Sequence, residues 1–190
     1  GQSLPTKLVY ENKTYTNEAD IADIFNTYFT SVGPTLASRI RSNSSTKDPT
    51  HYISKSPCHS FILSPVAESQ VLNLFTNLDE SKAYLNIPNK FIKIASHQLT
   101  VPFTKIYNES ITTGAIPEIF KISRITPIFK SGDTTEPGNY RPIAIISVFS
   151  KVLEKLVYNQ LINFIEKHNI LYNYQFGFRK GYSTEYAILE

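Results

Sequence analysis

Methionine is absent from all 190 residues, position 1 included, and cysteine occurs once, at Cys58. A lone thiol excludes an internal disulfide and a cysteine-based zinc site, which fits a reducing compartment. No apolar run reaches the roughly 18 residues of a membrane span. Neither a signal peptide nor a transit peptide is visible, and internal repeats and low-complexity tracts are missing. The lack of methionine, with a capped segment at Ser183 that stops mid-helix at Glu190, predicts a piece of a longer polypeptide.

What is present suffices for one sizeable core, or one core and a small partner: 41% of residues are hydrophobic and 13% aromatic. The net charge is +3 and its location is informative. Residues 1–120 carry ten Lys/Arg against ten Asp/Glu, whereas residues 121–190 carry nine against six. The surplus lies wholly in the last third, a modest footprint that favours a polyanionic partner.

Lys7–Tyr10 and Thr14–Tyr15 around Glu11-Asn12-Lys13 suggest a small hairpin or a loose lead-in. Asn17 is placed to cap a helix with an apolar face of Ile21, Ile24, Phe25, Tyr28, Phe29 and Val32, expected to end at Gly33-Pro34. Asp20 and Asp23 on its first turns complement the helix dipole better than they make a metal site. Residues 42–60, rich in Ser, Thr and Pro, read as a polar linker. His51, Cys58 and His59 fall there, too few for a closed zinc site. Ser64-Pro65 signals a helix start, with Val71, Leu74, Phe75 and Leu78 on one face. Pro88 predicts a further helix carrying Phe91, Ile92, Ile94, Ala95 and Leu99, and Phe103–Thr112 another that ends at Gly114.

Two apolar β-branched runs follow, Arg124–Lys130 and Asn139–Ile146, separated by Ser131-Gly-Asp-Thr-Thr-Glu-Pro-Gly138. This is a hairpin pattern. Lys130 leaves the first strand and Arg141 enters the second, so an ammonium and a guanidinium converge near the tip. That pair suits a triphosphate or a nucleic-acid backbone, and it equally suits an ordinary solvated hairpin. Asp133 in the tip reads as a turn former. Pro142 lacks an amide donor and fits an edge strand, holding Arg141 extended. Ser147 then caps a long amphipathic helix to His168, with Asn169 as its stop. A second basic element, Gln175-Phe-Gly-Phe-Arg-Lys-Gly181, precedes another helix opened by Ser183. Expected core residues are Phe25, Phe29, Leu72, Phe75, Ile92, Ile106, Ile128, Ile145, Leu153, Leu156 and Phe164.

The order TPIFKSGD, NYRPIAIIS, SKVLEKL and QFGFRKGYST resembles the opening section of reverse transcriptases from non-LTR (LINE-like) retrotransposons. The resemblance covers about Phe61 to Glu190, and loosely Ala22–Phe29. Each piece is weak alone; their order and spacing together are specific. One departure stands out: Ser81-Lys-Ala-Tyr-Leu-Asn-Ile-Pro88 is two residues short of the family's pattern and lacks its Gly and Asp.

The resemblance implies an α+β fold: a helix-rich N-terminal part, an antiparallel fingers hairpin and a long packed helix, as an incomplete reverse-transcriptase fold. It divides the chain into an N-terminal helical extension (1–41), the linker (42–60), a helical lead-in (61–122) and the beginning of the fingers (123–190). It implies nucleotide binding by Lys130 and Arg141, and nucleic-acid contacts by Arg124, Gly177, Phe178, Arg179 and Lys180. Arg124 shares the face of Lys130 if strand alternation holds. For Phe176 and Phe178, stacking on bases competes with burial in a core.

The complete enzyme would use Mg2+ for two-metal phosphoryl transfer. Its partners would be an RNA template, a DNA primer, deoxynucleoside triphosphate and the palm and thumb of the same polypeptide. Its location would be intracellular, nucleus or cytoplasm, with no membrane. The five aspartates, Asp20, Asp23, Asp48, Asp79 and Asp133, are scattered, so no catalytic or metal residue is assigned and the piece alone is expected to be inactive. Two other readings stay open: a truncated, non-catalytic RNA-binding remnant, and a helical protein-interaction module using the Ile21–Val32 face.

Overall fold

The computed structural model describes residues 5–40, 59–84 and 87–189. They form two compact units, each built from two separate stretches: residues 1–52 with 118–147, and residues 53–117 with 148–190. The architecture is helix-rich with small antiparallel hairpins, an α+β arrangement. Among the described residues no helix is long and apolar enough to cross a membrane.

The first unit opens with the expected hairpin, β1 (Leu8–Tyr10) and β2 (Lys13–Tyr15). Its two-residue turn puts Glu11 at φ 49° and Asn12 at φ 62°, the left-handed pair that matches strand twist in a tight hairpin. The Asn17 side chain accepts the Ala19 amide at 2.9 Å and starts α1 (Glu18–Arg39). This helix does not end at Gly33-Pro34; it continues to Arg39. A glycine stops a helix by turning left-handed, and Gly33 is not among the positive-φ residues. Pro34 deletes one hydrogen bond, yet the helix runs on past it.

A short helix, α5 (Glu118–Lys121), leads into β5 (Ser123–Phe129), which pairs with β6 (Tyr140–Ile146). The register sets Arg124 opposite Ile145, Ile128 opposite Arg141 and Phe129 opposite Tyr140. Leu8, Ile21, Phe25 and Tyr140 make the buried cluster of this unit, with Tyr15, Ile24, Phe29 and Phe129 packed on it. Burying four such side chains supplies the main driving force that holds the hairpin to α1. The Ile21–Phe25 part of the helix face is therefore filled by the chain's own strands. Ile128 is not a core residue: it is 36% exposed, on the sheet face opposite this cluster.

The second unit contains α2 (Glu68–Thr76), the two-residue strands β3 (Ala83–Tyr84) and β4 (Ile87–Pro88), α3 (Asn89–Ile94), α4 (Ser96–Thr113), α6 (Val148–Lys167) and α7 (Thr184–Leu189). The shortened stretch before Pro88 forms the small β3–β4 hairpin.

Helix α2 starts three residues later than Ser64-Pro65 predicts, because Ser64 and Val66 spend their backbone groups on side-chain amides of α6 and α4. Gln70 instead takes the Ala67 amide at 2.9 Å, supplying half a capping box. Val71, Phe75 and Tyr107 are fully buried, and Phe103 stacks on Phe149 with centroids 4.2 Å apart. Tyr107 donates its hydroxyl to the Phe149 carbonyl at 3.0 Å; burial pushes that phenol's pKa up. Ile106 is exposed rather than core, since it sits about 100° around α4 from Tyr107, off the buried face. Gly114 ends α4 at φ 72°, as expected.

Candidate phosphate-binding face

Alternation along the β5–β6 ladder sorts its side chains into two sets. Ser123, Ile125, Pro127, Phe129 and Tyr140 belong to one face. That face meets α1: the Phe25 and Tyr140 rings lie 4.9 Å apart edge to face, and Phe129 and Tyr140 5.4 Å apart. A cavity of about 240 Å³ lined by Ile21, Phe25, Asn26, Ile125 and Pro127 runs along the same contact. Arg124, Thr126, Ile128 and Arg141 belong to the outward face. Lys130, one residue past the strand end, continues that parity; its amide bonds the Asn139 carbonyl at 2.8 Å.

Lys130 and Arg141 are thus diagonal neighbours on one face, with Cα atoms roughly 7–8 Å apart. Both are exposed, and neither has an ion-pair partner among the described residues. Arg124 shares the face but sits four residues from the Ile128–Arg141 rung, about 13 Å along the strand. One phosphate group can span Lys130 and Arg141; reaching Arg124 takes a longer polyanion. Proline faces proline across the ladder at Pro127 and Pro142. In a two-stranded ribbon this costs little, since both outer edges are free of further strands.

The tip that separates the two cations is held from behind. Asp133 accepts the Thr135 amide at 2.8 Å and the Thr135 hydroxyl at 2.9 Å. These bonds, the backbone one first, hold its carboxyl below the usual carboxylate range, with Lys7 adding a smaller pull. Asp133 shapes the turn, as its position suggested. Tyr140 donates to the Thr134 carbonyl at 2.7 Å, and the Val9 amide donates to the Thr135 carbonyl at 2.8 Å.

Asn139 donates to the Asp133 carbonyl at 2.9 Å. A Cβ on Gly138 would lie 2.9 Å from the Tyr28 hydroxyl, so the tip and α1 are in close contact there. Val9, Tyr28, Asn139 and Tyr140 carry no charge and match no phosphate-binding pattern, which is why sequence reasoning passed over them. The one available signal is a tyrosine at the strand start that alternation turns inward.

Gly177, Phe178, Arg179 and Lys180 lie in the second unit, in the loop between α6 and α7. Phe178 is fully exposed at φ 61°, so it is not a core residue; Phe176 is half-buried, its ring 5.8 Å from Tyr182. The Arg179 guanidinium lies over the Tyr182 ring, 4.3 Å from its centroid, and its Nη1 is buried with no hydrogen-bond partner among the described residues. Arg179 and Lys180 line a cavity of about 250 Å³ with Glu166 and Asn169. His51 and Cys58 lie outside the described residues.

No three His, Cys, Asp or Glu side chains cluster among the described residues. Asp20 and Asp23 lie on α1, Asp133 caps its turn, and Asp79 bonds Ser81 and Lys82.

The β5–β6 ribbon thus carries exposed cations on one face and is braced by an aromatic core on the other. No family model matches the chain. Curated relatives do. Over 125 residues, 64% of this chain, it is 30% identical to the probable RNA-directed DNA polymerase from transposon BS of Drosophila melanogaster. It is likewise 30% identical to the RNA-directed DNA polymerase from mobile element jockey, and 29% to that of transposon X-element, each over 64% of this chain. The chain is related to the RNA-directed DNA polymerases of non-LTR retrotransposons. It spans 14% of the length of each of these relatives.

Proposed function

We propose that this chain is the fingers portion of an RNA-directed DNA polymerase, in which the β5–β6 ribbon contributes triphosphate and template contacts to template-directed nucleotidyl transfer. Residues 61–122 are the lead-in to the polymerase and 123–190 the beginning of its fingers. Lys130 and Arg141 neutralise a triphosphate; Arg124, further along the face, meets the template backbone. In the second unit, Gly177 lets a backbone approach closely, Phe178 offers a stacking surface, and Arg179 with Lys180 meets phosphate. The RNA template, DNA primer and deoxynucleoside triphosphate are the partners. Divalent metal, Mg2+ by analogy with polymerases generally, would be held by residues other than the described ones, and this chain's part is to bind and orient.

The observation that carries this reading is the pair of unpaired, outward cations on one face of a braced hairpin. Binding of a deoxynucleoside triphosphate and of RNA by the whole chain tests it. Lys130→Ala and Arg141→Ala should each weaken triphosphate binding, and Arg124→Ala should weaken RNA binding and lower its log–log salt slope by about 0.7, the value for one phosphate contact on a single strand. Unchanged affinities in all three variants would rule the reading out. A helical protein-interaction module predicts that outcome.

A further inference from the structure

Residues 59–66 run across the second unit in neither helix nor strand, and the way they are held is unusual. Gln160 on α6 grips Ser64 twice: its Oε1 accepts the Ser64 amide and its Nε2 donates to the Ser64 carbonyl, both at 2.8 Å. Asn108 on α4 does the same to Val66, accepting the amide at 2.7 Å and donating to the carbonyl at 3.0 Å. A side-chain amide that takes both backbone groups of one residue acts as a one-residue β-strand. It reads the peptide, not the side chain, and two of them two residues apart match the repeat of an extended backbone. Pro65 keeps Ser64 extended.

The contacts continue down α6. Gln160, Phe164 and His168 recur every four residues, so they form one stripe. Ser64, Phe61 and His59 meet them in reverse order. The Phe61 and Phe164 centroids are 5.3 Å apart, and those of His59 and His168 3.9 Å. Eight helical residues rise about 12 Å and five extended residues span about 16 Å, so the two ladders keep step with slight slack. Val66 is buried and anchors the strap at one end; His59 and Ser60 are exposed at the other.

The two imidazole rings face each other at that free end, 3.9 Å apart. His59 is the one ionisable side chain of residues 59–66. On the helix side, Lys167 adjoins His168, and Glu166 lines the cavity that holds Arg179 and Lys180. Desolvation first, then His59 and Lys167, lower the His168 pKa from 6.5. A base with a depressed pKa stabilises the closed arrangement above its ordinary value, and that stability is lost as the pH falls through the folded pKa.

We propose that α4 and α6 form a backbone-reading groove whose occupant is this chain's own residues 59–66, and that the His59 end of the occupant lifts out when the His168 imidazole against it becomes charged. Val66 stays seated, so the opening is local.

Amide hydrogen exchange of the whole chain, followed by NMR from pH 8 to pH 5 and corrected for intrinsic rates, tests this. Ser64 protection should fall severalfold below pH 6.5 while Val66 protection holds. His168→Phe, which keeps an aromatic ring against His59, should abolish the pH dependence. Gln160→Ala should remove Ser64 protection at every pH and leave Val66 protected. Parallel loss at Ser64 and Val66, or an unchanged pH profile in His168→Phe, overturns the proposal.

Discussion

Tyr140→Phe isolates one hydroxyl at the tip of the β5–β6 ribbon. The phenol donates to the Thr134 carbonyl at 2.7 Å, while its ring packs against Phe25 and Phe129. Phenylalanine keeps the ring and deletes the bond. A hydrogen bond of this kind contributes about 0.5–1.5 kcal/mol net, whereas removing the ring in Tyr140→Ala costs about 3–5 kcal/mol. Urea unfolding should rank the two variants in that order at constant m.

A local signature accompanies it. The neighbouring Thr135 carbonyl takes the Val9 amide at 2.8 Å, so a released tip exposes Val9 to exchange. Its protection should fall more than that of Ile21, whose amide bonds the Asn17 carbonyl within α1. Burial first, and Asp133 second, raise the Tyr140 pKa from 10.0. The stability from its protonated form is therefore present below pH 10 and lost as the pH rises through the folded pKa. The phenylalanine variant should lack that alkaline step. Equal Val9 protection and an unchanged urea midpoint in Tyr140→Phe would refute the tie between the Tyr140 hydroxyl and the tip.

Leu8→Ala empties a fully buried site in the first unit and should cost about 2–5 kcal/mol, read by thermal or urea unfolding; a smaller loss would mean that β1 is an appendage. Gly132→Ala combines φ 94° with a Cβ placed 2.8 Å from the Asn139 side chain. It should cost about 1–2 kcal/mol for the left-handed strain alone, with the Asn139–Asp133 bond lost in NMR spectra. Asp133 holds its turn as a carboxylate, so Thr135 amide protection should persist above pH 3.8 and disappear as the pH falls through the depressed pKa; Asp133→Asn should show no such acid transition.

Local signals were readable where one or two residues decide the geometry. Asn17 caps α1, Glu11-Asn12 turns the first hairpin, Gly114 ends α4, and the two β-branched runs pair around the Asp133 turn. Gly33-Pro34 and Ser64-Pro65 misled because each is a local preference that other contacts override. Gly33 stays out of the left-handed region, and Ser64 is claimed by Gln160, ninety-six residues away. Ile128 and Ile106 carry the composition of core residues, yet they sit on the wet side of their elements.

The residues alone were enough for the longer helices, the hairpin that carries Lys130 and Arg141, and the kinship with non-LTR retrotransposon polymerases, but not for the β3–β4 hairpin or α5. The tertiary structure decided which face of the hairpin meets water, that residues 118–147 share a unit with the first strands and α1, and that Tyr140 and Val9 brace the tip. The division has a physical cause. Caps and turns are settled within a few residues, whereas packing depends on register and on which apolar surfaces bury most area together, and those partners lie far apart in the chain.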